Sequence, residues 1–163
     1  MKTLLIVYHS MTGGTLQMAQ AALRGAASEP SISARLLHAS QADGADLLAA
    51  DGYLFATPEN LGGISGMLKD FFDRSYYAAL DRIGGRPYAT LICAGSDGQG
   101  AARQIERIVT GWRLKPVAPA LIVNTQAQTA ADILRPKQLP AGELQRCEEL
   151  GAALAAGLAL SIF

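Results

Sequence analysis

A turn rich in hydroxyl groups and glycines follows the first apolar run of the chain, which spans Thr3–Tyr8. The residues of this turn that could contact a ligand are Ser10, Thr12, Gly13, Gly14 and Thr15. A helical pattern begins directly afterwards, so the turn places hydroxyl and N–H donors at a helix N-terminus, which carries roughly half an elementary positive charge. The glycines let the backbone approach a ligand closely. The pattern predicts a phosphate site; the alternative is an ordinary turn in which Thr15 caps the helix.

The same turn lacks the signatures of two common nucleotide-binding loops. A P-loop requires Gly-Lys followed by Ser or Thr, and residues 10–15 contain no lysine. A dinucleotide-binding loop requires the pattern G-x-G-x-x-G, which is also absent here. Because no residue of the turn is cationic, we expect the phosphate to be held by neutral donors.

The elements that would position this turn alternate along the chain. The candidate buried strands are Thr3–Tyr8, Ile32–Leu37, Gly52–Ala56, Tyr88–Ala94 and Val117–Val123. Helical periodicity fills the gaps between them, with a short helix at Ala45–Ala50, while Thr125–Pro140 is the least regular segment. Apolar strands that alternate with helices indicate an α/β fold, in which a parallel sheet is covered on both faces. We expect the 163 residues to form one domain.

Two further loops rich in glycine and polar groups follow predicted strands. Residues 57–66 follow the third strand and read Thr-Pro-Glu-Asn-Leu-Gly-Gly-Ile-Ser-Gly. Residues 95–100 follow the fourth strand and read Gly-Ser-Asp-Gly-Gln-Gly. In open parallel sheets, ligands bind beyond the carboxyl ends of the strands where the strand order reverses. Together the three loops predict a site for a flat ligand with polar edges and a phosphate group.

The composition restricts the classes of partner. The chain carries 14 basic and 14 acidic residues, and only 17% of residues are charged, so we expect neither nucleic acid nor an anionic membrane as a partner. The strand pattern starts directly after Lys2, which predicts no export signal. The chain has only two cysteines, Cys93 and Cys147, and their spacing is not that of metal ligands. We therefore expect them to be reduced thiols in the core of a cytoplasmic protein. The apolar segment Leu150–Phe163 is too short to span a bilayer, and we expect a packed helix that could also contribute to a subunit interface.

The three loops resemble those of the NAD(P)H-dependent FMN reductases and related quinone oxidoreductases, a branch of the flavodoxin-like superfamily. The first loop, SMTGGT, resembles the FMN-phosphate motif S/T-x-T-G-x-T. The stretch TPENLGGISGMLKDFFD is similar to the second FMN loop and its following helix, and AGSDGQG is similar to the third loop. The resemblance implies a flavodoxin-like three-layer sandwich, with a five-stranded parallel sheet of order 2-1-3-4-5 and FMN at the point of reversal.

The resemblance also implies which residues bind the cofactor. The phosphate would be bound by Ser10, the backbone of Met11, Thr12, Gly13, Gly14 and Thr15. The isoalloxazine ring would be lined by Thr57, Pro58, Glu59, Asn60, Leu61, Gly62 and Gly63. The ring and ribityl side would be closed by Gly95, Ser96, Asp97 and Gly98. No metal ligand and no specific catalytic residue is implied, because the flavin itself carries the hydride chemistry.

Two departures from true flavodoxins bear on the function. Neither ring loop contains an aromatic residue that could sandwich the flavin, and the chain is neutral whereas flavodoxins are strongly acidic. Both departures favour an open flavin face on which a nicotinamide or a quinone can stack. We therefore expect NAD(P)H-dependent, two-electron reduction of a small-molecule acceptor, either a flavin or a quinone. The alternatives are a one-electron carrier of the flavodoxin type and an FMN-binding module with a structural or regulatory role.

Several titratable residues near the predicted site have two interpretations. His9 could reach the ligand or be hydrogen-bonded at a strand end, and His38 is expected to be structural or solvated. Glu59 and Asp97 are the only carboxylates in the ring loops, and each could contact substrate or act as a cap or solvated group.

Aromatic residues outside the loops also have two interpretations. Tyr76 and Tyr77 could cover a flavin in a neighbouring subunit or pack at a helix end, whereas Trp112 falls on a core stripe. The low charge and the apolar last helix predict a homodimer or homotetramer.

Overall fold

Strands and helices alternate along the chain in the computed structural model, which describes residues 1–163. The strands are β1 (Lys2–Tyr8), β2 (Ile32–His38), β3 (Gly52–Asn60), β4 (Gly63–Ile64), β5 (Pro87–Ala94), β6 (Lys115–Pro116) and β7 (Leu121–Asn124). The helices are α1 (Gly14–Ala26), α2 (Gly44–Ala49), α3 (Gly66–Ala79), α4 (Gln99–Gly111), α5 (Ala130–Leu134) and α6 (Ala141–Leu160). The alternation gives the predicted α/β architecture.

The sheet has seven strands, whereas the family resemblance implied five in the order 2-1-3-4-5. The main path runs β2-β1-β3-β5-β6, β7 also pairs with β5, and β4 pairs with β3. All pairs are parallel except the β3–β4 hairpin. The predicted last strand, Val117–Val123, is wrong in its bounds, because two short segments on either side of residues 117–120 pair with β5 instead. Pro116 and Pro119 lack the N–H that a continuous ladder requires.

Each face of the sheet is buried against its own set of helices. Leu4 and Ile6 of β1 point to one side, where they join a cluster with residues of α1 and α6. Leu5 and Val7 point to the other side and join a cluster with residues of α2, α3 and α4. All four side chains are fully buried. Successive strand residues alternate between faces, so a strand covered on both sides must be apolar throughout.

The last helix packs closely on the first through small residues. A Cβ atom at Gly25 of α1 would lie within bonding distance of the Glu148 carbonyl, and one at Gly151 of α6 would overlap the Ala22 carbonyl. Glycine at both positions therefore sets how closely the two helices approach. No helix of the molecule combines the length and the apolar character that crossing a membrane requires.

The topology gathers the loops of the predicted site at one end of the sheet. The carboxyl ends of β1, β3, β5 and β7 lead into residues 9–13, the β3–β4 hairpin, residues 95–98 and residues 125–129. Because these four strands are mutually parallel along the sheet, the four connections lie at the same edge.

Candidate functional site

A cleft of about 570 Å³ opens at this edge of the sheet. Twelve of the residues that the sequence assigned to cofactor binding line it: Ser10, Met11, Thr12, Gly14, Thr15, Pro58, Glu59, Asn60, Leu61, Gly62, Gly95 and Ser96. The lining also includes six residues that the sequence reasoning did not select: Cys93, Ala94, Thr125, Ala127, Ile133 and Lys137. The structure therefore brings all three predicted loops together around one cavity, with a fourth connection beside them.

Five of the predicted cofactor residues do not line the cleft: Gly13, Thr57, Gly63, Asp97 and Gly98. Gly13 and Gly98 precede helices α1 and α4 with φ of 94° and 96°, a backbone conformation that favours glycine. The Thr57 hydroxyl is buried under the hairpin and accepts the Ser65 N–H at 3.1 Å. Asp97 is exposed. Gly63 pairs with Asn60 in the β3–β4 hairpin. Apart from Asp97, these residues therefore shape the loops instead of lining the cleft.

The first loop presents unpaired hydrogen-bond donors to the cleft. The N–H groups of Thr12, Gly14 and Thr15 donate to no protein atom, and only the Gly13 N–H is used, by the Ser10 hydroxyl at 3.1 Å. Thr15 is only 1% exposed, and its buried hydroxyl group has no hydrogen-bond partner. Leaving such a group unpaired costs about 1–3 kcal/mol. An oxyanion in the cleft would satisfy it, so these donors fit a phosphate group.

A buried thiol forms the floor beneath this loop. A Cβ atom at Gly14 would lie 2.6 Å from the Cys93 sulfur, so only glycine allows the loop to rest on this side chain. Burial raises the pKa of the Cys93 thiol to about 11, against a smaller lowering by the Lys137 charge. The floor is therefore a neutral thiol at physiological pH. Both cysteines are free and buried, as the sequence predicted.

The segment after α5 is attached to the first loop by hydrogen bonds. The Lys137 N–H donates to the Thr12 carbonyl at 2.8 Å. Gln17 of α1 donates through Nε2 to the carbonyls of Gly13 at 3.0 Å and Lys137 at 2.7 Å. The Gln17 Oε1 accepts the Leu139 N–H at 3.0 Å. A segment that the sequence marked only as irregular is thus one wall of the site.

One signal in the sequence could have found this wall. The rule that ligands bind beyond the carboxyl ends of parallel strands predicts the loops after the first, third and fourth strands, and it applies equally to the last strand. Thr125, Ala127 and Lys137 all follow that strand, and all three line the cleft.

The second loop is a tight hairpin fixed to helix α4. Its two turn residues, Leu61 and Gly62, have φ of 51° and 79°, and two positive φ angles are the requirement of a type I′ turn. Glu59 accepts the N–H groups of Gly98 at 2.9 Å and Ala101 at 3.0 Å, at the N-terminus of α4. Glu59 is therefore a helix cap that also borders the cleft, which joins the second loop to the third.

The rim of the cleft carries exposed aliphatic and thioether side chains. Met11 is 54% exposed, Ile133 is 47% exposed and Leu61 is fully exposed at the tip of the hairpin. The Asn60 amide nitrogen lies 3.1 Å from the Met11 sulfur. No aromatic residue lines the cleft. The rim therefore offers apolar surface, and the cleft contains no aromatic sandwich.

The aromatic and histidine candidates lie outside the cleft. Tyr76 stacks on Trp112 at 5.5 Å between ring centroids, and the buried Trp112 belongs to the core, as predicted. Tyr77 is 82% exposed. His9 donates its backbone N–H to Ala56, and its ring packs edge-on against His38 at 5.6 Å. Burial, and secondarily the nearby His38, lowers the pKa of His9.

Comparison with known proteins assigns the chain to a family. The family model described as NADPH-dependent FMN reductase matches residues 40–130, more than half of the chain and both ring loops. The chain belongs to this family. It is 34% identical over 100 residues to a flavodoxin from Aquifex aeolicus, covering 61% of this chain and 52% of that protein. It is 30% identical over 95 residues to an NAD(P)H dehydrogenase (quinone) from Acidithiobacillus ferrooxidans, covering 46% of this chain and 48% of that protein.

The flavodoxin-like fold is confirmed by solved structures. A flavodoxin from the domain Archaea superposes with a TM-score of 0.80 at 18% identity, covering 96% of this chain and 99% of that one. The flavodoxin, WrbA-like protein from Agrobacterium tumefaciens gives a TM-score of 0.73 at 20% identity, covering 98% of this chain and 99% of that one. The chain spans about half the length of the curated relatives it matches. Together the comparisons support FMN binding.

Proposed function

We propose that this protein is an FMN-binding oxidoreductase that uses NAD(P)H to reduce a flavin or a quinone in two-electron steps. The observation that carries the proposal is the cleft itself. It combines a phosphate cradle with unpaired donors, including the buried Thr15 hydroxyl, and a partly apolar rim, and no aromatic residue lines it. The first feature suits FMN, and the second suits a flavin with an accessible face.

The cofactor would be held by residues of all three loops. Residues 10–15 would bind the phosphate, with Thr15 and the N–H groups at the start of α1 as donors. Residues 57–63 and 95–98 would border the ring and ribityl chain. When bound, FMN supplies the hydride chemistry. The protein's part is to orient the ring, and the hairpin is suited to this because Glu59 and Gln104 fix it to α4.

The shape of the rim supports a small-molecule acceptor. Leu61 and Met11 offer apolar surface at the mouth of the cleft, and neither carries charge. A planar nicotinamide or quinone can stack in such an opening, whereas a one-electron carrier uses a covered ring and a charged surface for docking. The family match is consistent with NADPH as the reductant.

A flavodoxin-type electron carrier is the second candidate function. It is favoured by the flavodoxin from Aquifex aeolicus, which shares 34% identity over 100 residues. The neutral net charge is less suitable for this function, because charge complementarity accelerates association between redox proteins.

We also propose that the protein assembles into a homodimer or homotetramer. Large apolar side chains are exposed outside the cleft, at Tyr77, Leu134, Leu160 and Ile162. Sedimentation at micromolar concentration should give a dimer or tetramer, and a monomer would contradict this assignment.

The two free, buried thiols are consistent with a cytoplasmic location.

Steady-state turnover tests the proposed function. The FMN-loaded protein should oxidise NADPH or NADH in the presence of a soluble benzoquinone, with one quinone reduced per nicotinamide. The variant Thr15→Val should lose activity at limiting FMN and regain it at saturating FMN, whereas Ser75→Ala should behave as wild type. Ser75 is a suitable control because its hydroxyl is also buried and unpaired but lies outside the cleft. Absence of nicotinamide oxidation by the flavin-loaded protein would contradict the proposal.

A further inference from the structure

Lys137 is the only lysine or arginine among the residues that line the cleft. It lies 125 positions from Thr12 in the sequence, yet the two residues are in contact. We propose that Lys137 supplies the cation of the phosphate site and that Gln17 is a positioning residue that holds it there. The inference rests on the FMN binding proposed above and concerns a residue that the sequence pattern of the loop does not contain.

The side chain of Lys137 passes directly over the phosphate loop. A Cβ atom at Gly14 would lie 3.5 Å from the Lys137 Cβ and 3.6 Å from its Cγ, so the aliphatic stem packs on the loop backbone. The ammonium nitrogen lies 3.4 Å from the Thr12 hydroxyl. The unpaired donors of Thr12, Gly14 and Thr15 therefore have a cation beside them.

Three backbone carbonyls fix the ammonium group. Lys137 Nζ donates to the carbonyls of Asp132 at 2.8 Å, Ile133 at 2.9 Å and Arg135 at 2.6 Å. An ammonium has three donors, so these bonds use all of them. Its action on a phosphate is consequently that of a fixed point charge, held in place before the ligand arrives.

A cation at this place would complement the charge of a bound phosphate. A phosphate monoester carries about −1.5 to −2 charges near pH 7, while a helix N-terminus offers only about half of one positive charge. The only carboxylate that lines the cleft, Glu59, accepts N–H groups at the start of α4. It is therefore paired elsewhere and does not neutralise Lys137.

Gln17 fixes the position of the segment that carries Lys137. Its amide donates to the carbonyls of Gly13 and Lys137 and accepts the N–H of Leu139, so one side chain joins the loop to the lysine and to the residues that follow it. Removing this amide should shift Lys137 without changing the charge of the protein. A purely structural role for Lys137, as a cap for the five-residue helix α5, makes a different prediction, because it would not distinguish between ligands with and without a phosphate.

The test compares FMN with riboflavin, which has the same ring and no phosphate. Both ligands are titrated by fluorescence quenching into apoprotein of the wild type and of Lys137→Met, which keeps the stem and removes the charge. We expect FMN affinity to fall about tenfold to a hundredfold, with riboflavin affinity unchanged within about twofold. Raising the salt concentration should weaken FMN binding more in the wild type than in Lys137→Met. Lys115→Met is the matched control, because Lys115 is an exposed lysine that lies outside the cleft.

The remaining outcomes separate the alternatives. Gln17→Ala should weaken FMN binding in the wild type and have a smaller effect in the Lys137→Met background, since its role is exerted through the lysine. An equal loss of FMN and riboflavin affinity in Lys137→Met would mean that the lysine is only structural and would overturn the inference. Unchanged FMN affinity in Lys137→Met would also overturn it while leaving FMN binding intact. Failure of the wild type to bind either flavin would instead refute the proposed function and, with it, this inference.

Discussion

Glu59 and Gly98 are joined by a hydrogen bond of 2.9 Å between the Glu59 carboxylate and the Gly98 N–H, across 39 positions of sequence. The other carboxylate oxygen accepts the Ala101 N–H at 3.0 Å. A Cβ atom at Gly100 would overlap the Gly62 carbonyl, so the hairpin turn also rests directly on the start of α4. The two loops predicted to surround the flavin ring are therefore one connected unit.

Removing this carboxylate should loosen both loops. We expect Glu59→Ala to lower the free energy of unfolding by about 0.5–2 kcal/mol, the usual loss for a helix N-cap, and to weaken binding of FMN and riboflavin alike. Asp43→Ala is the control, because the Asp43 carboxylate also accepts two N–H groups at a helix N-terminus, as the N-cap residue of α2. Urea denaturation and flavin titration together provide the measurement. If both variants lose stability and both keep full flavin affinity, the coupling between the loops does not serve the site.

Thr15→Val should change stability and affinity in opposite directions. The apoprotein should gain about 1 kcal/mol, because a buried hydroxyl without a partner is replaced by a methyl group. FMN affinity should fall about tenfold to a hundredfold, because a donor to a charged group is lost. Ser75→Ala should give the gain in stability without the loss of affinity. A Thr15→Val protein that binds FMN as tightly as wild type would show that Thr15 does not contact the phosphate.

Leu61 occupies a position that suits its side chain poorly. Its φ of 51° is left-handed and its side chain is fully exposed. Leu61→Asn should raise the free energy of unfolding by about 1 kcal/mol, since Asn-Gly is the preferred type I′ pair. The same change should raise the KM for a quinone acceptor by removing apolar surface at the rim. Asp81→Gly, at φ 62° outside the cleft, should stabilise without affecting KM. If the KM of the Leu61→Asn variant is unchanged, Leu61 does not contribute to binding of the acceptor.

The buried thiols should make the protein sensitive to alkaline pH. Burial raises the pKa of both Cys93 and Cys147 from 9.0 to about 11. Between these values the unfolded chain releases protons that the folded protein retains, so the free energy of unfolding is fully present below pH 9.0 and falls as the pH rises towards 11. We expect a loss of about 1–3 kcal/mol per thiol. Urea denaturation at a series of pH values should show a shallower decline in Cys93→Ala, and an identical decline in both proteins would contradict the assignment.

The parts of the site that the sequence predicts are those set by local pattern. The order apolar strand, glycine-rich turn and helix occurs within residues 2–26, and the structure forms β1, the loop and α1 there. The glycines before α1 and α4 adopt the positive φ that their residue type allows.

The parts that the sequence does not predict depend on distant contacts. Lys137 reaches Thr12 across 125 positions and Glu59 reaches Gly98 across 39, and no periodicity encodes either contact. The two-residue strand β4 is too short to produce a pattern. Pro116 and Pro119 divide the last strand, although the apolar run around them resembles a continuous one.

Anaerobic reduction of the FMN-loaded protein by NADPH and by NADH distinguishes a nicotinamide-dependent reductase from a one-electron carrier. We expect one of the two nicotinamides to bleach the flavin completely, with one nicotinamide consumed per flavin and little of the one-electron-reduced radical in the absorption spectra. Persistence of the oxidised flavin with both nicotinamides, together with a long-lived radical during chemical titration, would refute two-electron reduction by NAD(P)H and identify a one-electron carrier.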